Sequence, residues 1–141
     1  MSTIKRFEDI EAWQTTRNLT KLVYTLSSEG AFSRDFGLRD QMRRASVSIL
    51  SKVAGGFESR TRGLFTECLG RAKGPAGEPR AQFYVALDAE YLTQKQFLAH
   101  SDQCEKCSSQ ISRLMVYLKN LPHSSAVERS DVSTFKRSND V

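Results

Sequence analysis

Between Leu38 and Phe57 the chain sets Leu38, Met42, Ala45, Ile49 and Val53 at steps of four, three, four and four. That spacing draws one apolar stripe down a single face of an α-helix. Ala45, Ser46, Ser48, Ser51 and Ala54 keep side chains short beside it, so a second helix can approach closely. Gly55-Gly56 supplies the backbone freedom that a helix uses to stop, and a stop is expected there. Arg39, Arg43, Arg44 and Lys52 line the flanks. Such a helix is stable only when other helices cover its seam.

Three more segments can do so. His100, Cys104, Cys107, Ile111, Leu114, Leu118 and Leu121 follow alternating steps of four and three, and Pro122 ends the run. Thr93 with Gln96 three positions on has the form of a capping box at its start. A first helix is expected from about Phe7 to Asp9 through Ser27, with Ile10, Trp13, Leu19, Val23 and Leu26 near one face and Trp13 as a core anchor. Gly30 closes it, and residues 31–37 connect to the second helix. Ser59 or Thr61 caps the third helix, whose buried side starts with Leu64, Phe65, Cys68 and Leu69, and helical patterning resumes through Ala81, Phe83, Tyr84, Val85 and Leu87. Between these stretches stand Gly70, Gly74, Pro75, Gly77 and Pro79; an interior proline costs a helix about 3 kcal/mol. A kink or break is therefore expected between Gly74 and Pro79, a true loop with five shorter helices being the alternative. Asp88 to Leu92 reads as a turn.

The expected fold is all-α: an up-down four-helix bundle over residues 1–121 with a kinked or broken third helix. A disordered tail is expected over 122–141, which holds six serines or threonines. A length of 141 residues suits one core rather than two. Met1 to Ala12 contain no apolar h-region, no window approaches about 18 consecutive apolar residues, and three cysteines, Cys68, Cys104 and Cys107, form no secreted-domain pattern. A cytoplasmic protein without membrane contact is expected.

Charge adds a location. The net charge is +5, and the segment from Arg34 to Arg80 holds ten basic residues against five acidic ones, so the whole excess lies there. An acidic partner such as RNA or DNA is one explanation, and ordinary solvation of a helical surface is the other.

Catalytic and metal chemistry find little support. His100, Cys104 and Cys107 place three ligand-type atoms on one helical face, with Cys68 as a conceivable fourth, but the same three positions open the apolar stripe of the last helix. A core role is the preferred reading. Gly70-x-x-x-Gly74-x-x-Gly77 lacks the preceding strand of a phosphate loop, and Glu8 with Glu11 suits a helix N-terminus better than acid–base work. No cofactor, metal, small-molecule substrate or enzymatic activity is expected.

Several pieces of the chain together resemble the small bacterial 23S rRNA-intervening-sequence proteins, relatives of the accessory protein of diversity-generating retroelements. These are Phe7-Glu8-Asp9-Ile10-Glu11-Ala12-Trp13-Gln14, Gly37-Leu38 with Gln41-Met42-Arg43-Arg44-Ala45-Ser46-Val47-Ser48-Ile49, and Ser51-x-Val53-Ala54-x-Gly56-Phe57. The likeness continues more weakly through Phe65, Leu69, Ala72, Gly74, Glu78 and Gln82 to Tyr91-Leu92. The resemblance implies an up-down four-helix bundle that assembles as a ring, typically a homopentamer, without enzymatic activity. It also implies nucleic-acid binding through a basic surface, with Arg43 and Arg44 matching paired basic residues on the second helix. Leu50, Lys52 and Gly55 stand where that family usually has proline, asparagine and glutamate, and Pro75 and Pro79 replace ordinary helix formers.

The functional expectation is an oligomeric bundle that presents Arg39, Arg43, Arg44, Lys52, Arg60 and Arg62 to RNA or DNA. Phosphate contacts rather than base contacts are expected, because no aromatic platform accompanies these side chains in the sequence. The alternative is a protein–protein scaffold or accessory subunit that touches no nucleic acid.

Overall fold

The structure, a computed structural model, describes residues 5–120. A 3-10 turn at Phe7–Asp9 leads into α1 (Glu11–Ser27), and a second 3-10 turn at Gly30–Arg34 leads into α2 (Phe36–Glu58). Then come α3 (Arg62–Ala76), α4 (Glu78–Asp88) and α5 (Gln94–Lys119). α3 and α4 act as one kinked leg, so the bundle has four legs running up and down. α2 packs on α1 and on the α3–α4 leg, and α5 closes the square against α1, α3 and α4. Leu121 and the expected tail lie outside the described residues.

Local chemistry explains most element ends. Gly30 adopts a left-handed φ of +52° after α1. Asp35 caps α2, its Oδ1 accepting from the Leu38 amide at 3.2 Å. Thr61 caps α3 through the Leu64 amide, and the capping box at Thr93 and Gln96 is complete in both directions.

The end of α2 corrects the sequence reading. Gly55-Gly56 does not stop the helix, which continues through Phe57 and Glu58. The left-handed residue that ends it is Arg60, with φ of +64°. Gly56 serves packing: a β-carbon there would stand 2.8 Å from Cys68 Cβ and 3.0 Å from Phe65 Cδ1. Only glycine lets α2 and α3 meet at that point without displacement.

The third leg kinks rather than opening into a loop. Pro75 lies inside α3 and Pro79 in the first turn of α4, so two amide donors are missing within one turn's distance. Gly77, at φ −84° and ψ −21°, is the single residue between the two helices and donates to the Gly74 carbonyl at 3.2 Å. Its near-helical backbone keeps the two helices joined as one leg, while the missing donors interrupt the ladder where it bends.

The interior forms two stacked clusters. Ile49, Val53, Phe65, Leu69, Ile111 and Leu118 lead the cluster around the α2–α3 turn, and Leu19, Val23, Phe32, Met42, Phe83 and Phe97 lead the other. Full burial of each large side chain contributes about 1.5–3 kcal/mol relative to exposure. All six described members of the α5 stripe, His100 through Leu118, are buried. Trp13 is half-buried at the edge of the first cluster, with Phe7 edge-on at 5.1 Å. Leu64 departs from the expected buried side of the third helix: it is half exposed.

Candidate nucleic-acid interface

The six basic residues singled out in the sequence occupy three places. Arg43 and Arg44 are consecutive on α2, so their side chains leave the helix about 100° apart. Arg43 turns toward α1. Its Nε donates to Ser27 Oγ at 2.9 Å, its Nη2 to Ser28 Oγ at 3.1 Å, and its guanidinium lies 4.6 Å from the Tyr24 ring centroid. Arg39, one turn earlier on the same margin, donates Nε to Asp40 Oδ1 at 2.9 Å and Nη1 to the Ser33 carbonyl at 3.0 Å. Its guanidinium stands 4.7 Å from the Phe36 ring centroid.

Arg44 turns the other way. With Gln41, Ser48, Pro75, Glu78 and Gln82 it lines a groove of about 580 Å³ between α2 and the kink of the third leg. Lys52, two turns on from Arg44 along the same margin, donates Nζ to the Ser48 hydroxyl. Arg60 is exposed at the α2–α3 turn, and Arg62 opens α3, where it lines a second groove of about 540 Å³ with Lys119 of α5.

Pairing separates these residues further. Arg39, Arg71 and Arg80 have carboxylate partners in Asp40, Glu67 and Glu105. Among the described residues, Arg34, Arg44, Arg60 and Lys73 have no carboxylate within ion-pair distance, and Arg43 and Lys52 hold hydroxyls instead. Hydroxyl partners leave the positive charge uncompensated, so these six side chains keep their attraction for an anion.

One feature overturns the reading of the sequence. Two aromatic rings do accompany the arginines: Phe36 is 61% exposed and Tyr24 42% exposed, each under a guanidinium. Phe36, Arg39 and Arg43 stand at i, i+3 and i+7, a helical stripe legible in the sequence. Tyr24 joins it only because α1 packs beside α2.

The cysteine and histidine cluster is interior. Cys104 and Cys107 are buried, and burial pushes the Cys104 thiol up to about 12 and raises Cys107 as well. Cys107 Sγ lies 3.0 Å from Thr16 Oγ1, and that contact partly offsets the rise. Burial lowers the pKa of His100, whose ring lies 5.5 Å from Phe83 and whose Nδ1 has no hydrogen-bond partner among the described residues. Among the described residues no three His, Cys, Asp or Glu side chains are placed to share a metal ion, and no helix is long and apolar enough to cross a membrane. Gly70 and Gly74 lie inside α3, where helical hydrogen bonding occupies the backbone amides that a phosphate loop would offer.

The bundle is similar to a protein of unknown function from the S23 ribosomal protein family of Bacteroides thetaiotaomicron. The two superpose with a TM-score of 0.67 at 15% identity, over 74% of this chain and 95% of that one. That likeness concerns the fold. No curated protein matches the sequence. The family described as 23S rRNA-intervening sequence protein matches residues 8–113, well over half of the chain, and the protein belongs to that family.

Proposed function

We propose that this protein is a non-catalytic, oligomeric, cytoplasmic bundle that binds RNA or DNA chiefly through its phosphates. The observation that carries this reading is the set of basic side chains on α2, α3 and their turn that lack carboxylate partners among the described residues: Arg44, Arg60 and Lys73, with Arg43 and Lys52 held only by hydroxyls. The family's description, which refers to a ribosomal RNA intervening sequence, supports the same class of partner. Each phosphate neutralised releases condensed counterions, so binding of this kind weakens steeply as salt rises.

Arg44 and Lys52 share one margin of α2 and leave the core untouched, so Arg44→Glu/Lys52→Glu is the informative variant. Gel shifts at increasing ionic strength should show the parent protein losing affinity with salt, and the variant binding more weakly with a shallower salt slope. Equal binding by both proteins, or none by either, removes the proposal.

The oligomeric part of the proposal has one observation of its own. Tyr84, Val85 and Leu98 on α4 and α5 are each at least half exposed, and Tyr84 leans on Phe97 at 4.6 Å. Isolated exposed apolar residues are common, but a group on adjacent helices marks a contact surface. We assign this face to contact between copies, in the ring implied by the family resemblance. Light scattering on Leu98→Glu should show a smaller particle than the parent; an unchanged mass sets this assignment aside.

A further inference from the structure

We infer that the margin where α1 and α2 meet is a stacking platform for single-stranded nucleic acid, built from Phe36, Arg39, Arg43 and Tyr24. The inference rests on the nucleic-acid reading above and adds which form is taken and how. Each exposed ring carries a guanidinium on one face, and neither guanidinium is loosely held. Arg39 is fixed at Nε by Asp40 and at Nη1 by the Ser33 carbonyl, and Arg43 is fixed by Ser27 and Ser28. Four hydrogen bonds thus orient two flat cations against two flat rings, and the side-chain entropy that a mobile arginine loses on binding is already lost. Phe36 and Tyr24 gain little from this in the folded monomer, since 61% and 42% of their surfaces still face outward.

Flat cationic and aromatic surfaces side by side suit a ligand with flat bases strung along a negative backbone. Bases stack on aromatic side chains and on guanidinium planes, and stacking tolerates any base because every base has a π-face. Arg43 balances no carboxylate, and over residues 34–43 Arg34, Arg39 and Arg43 stand against Asp35 and Asp40, so this stretch of the platform remains positive. A duplex buries its base faces in its own stack and offers only phosphates here. The platform therefore favours single strands over duplex, a preference that phosphate contacts alone do not create.

Fluorescence anisotropy with a short labelled single-stranded RNA, and with a duplex containing the same strand, tests this on the full chain. The parent protein should bind the single strand more tightly. Phe36→Ala and Tyr24→Ala should each weaken single-strand binding at least about fivefold, the low end of one lost base stack, and leave duplex binding within about twofold. Phe36→Tyr and Tyr24→Phe should retain single-strand binding, because a ring remains. The salt slope of the alanine variants should match the parent's, since no phosphate contact is removed. Circular dichroism confirms folding of each variant.

Equal affinity for both forms with silent alanine variants overturns the platform, and leaves the phosphate reading standing if Arg44→Glu/Lys52→Glu still weakens binding. No binding by the parent protein overturns both. A smaller particle for Phe36→Ala in light scattering identifies this margin as a contact between copies, which also overturns the platform.

Discussion

Gly56 of α2 faces Cys68 of α3 so closely that a β-carbon at position 56 would stand 2.8 Å from the Cys68 Cβ. Two effects oppose each other in Gly56→Ala. Alanine gains about 1 kcal/mol of helix propensity over glycine, while forcing atoms into a packed contact costs about 1–3 kcal/mol. The second wins here, because Phe65 Cδ1 at 3.0 Å and Phe65 Cα at 3.5 Å crowd the same β-carbon besides Cys68. Gly55 is the control: nothing lies within 4 Å of its absent β-carbon. Urea unfolding should place Gly56→Ala below the parent and Gly55→Ala above it by up to about 1 kcal/mol.

Tyr91 reaches across the top of the bundle to donate its hydroxyl to Asp35 Oδ2 at 2.9 Å, while Asp35 Oδ1 caps α2. Tyr91 also stacks on Phe32 at 4.9 Å, so one carboxylate ties the α4–α5 turn to the start of α2. The hydrogen bond to Asp35 is the main cause that holds the Tyr91 phenol above its usual range. Asp35→Ala loses the cap and the tie and should cost about 1–2 kcal/mol, the upper range for a helix N-cap. Tyr91→Phe keeps the stack and the cap and should cost less. Thermal unfolding of the two variants orders them.

Thiol accessibility should divide the cysteines. Cys68 is half-buried, whereas Cys104 and Cys107 lie within the two clusters. With a thiol reagent at neutral pH, one equivalent should react with the native protein and two more only on unfolding. Burial of the Cys104 thiol also ties stability to pH. The unfolded thiol ionises near 9.0 and the folded one near 12, so the stabilising contribution is full below pH 9.0 and declines as pH climbs toward 12. Stability measured against pH for the parent and for Cys104→Ala reads this directly.

His100 should govern part of the acid limb. Burial lowers its folded pKa below the ordinary 6.5, so the unfolded chain takes up a proton first as pH falls. Stability from neutral His100 is therefore present above 6.5 and is lost as pH drops from there toward the folded value. His100→Leu removes both that titration and the unpartnered Nδ1. Urea midpoints at pH 7.5 and 5.5 should differ less for the variant than for the parent, beyond what the remaining carboxylates contribute to both.

How much of this was legible depends on the range of each interaction. The α5 stripe, the Thr93–Gln96 box, the Gly30 turn and the kink between Gly74 and Pro79 all appear where residue spacing places them. Each is set within about one or two helical turns, where backbone geometry relates neighbours directly. Gly56 was misread because a glycine that ends a helix and a glycine that admits another helix look alike in one dimension. Leu64 lies outside the core it is expected to join because periodicity gives a face but not what stands opposite it.

The candidate surface shows the same division. The sequence by itself determined that the chain forms amphipathic helices, where they begin and bend, and that its positive excess lies between Arg34 and Arg80. Only the tertiary structure decided that Arg43 lies over Tyr24 while Arg44 turns into a groove against the kinked leg, and that Phe36 stays in the open beneath Arg39. The physical reason is that a helix relates residues three and four apart through its own geometry, whereas the neighbour a side chain meets is fixed by how separate helices pack.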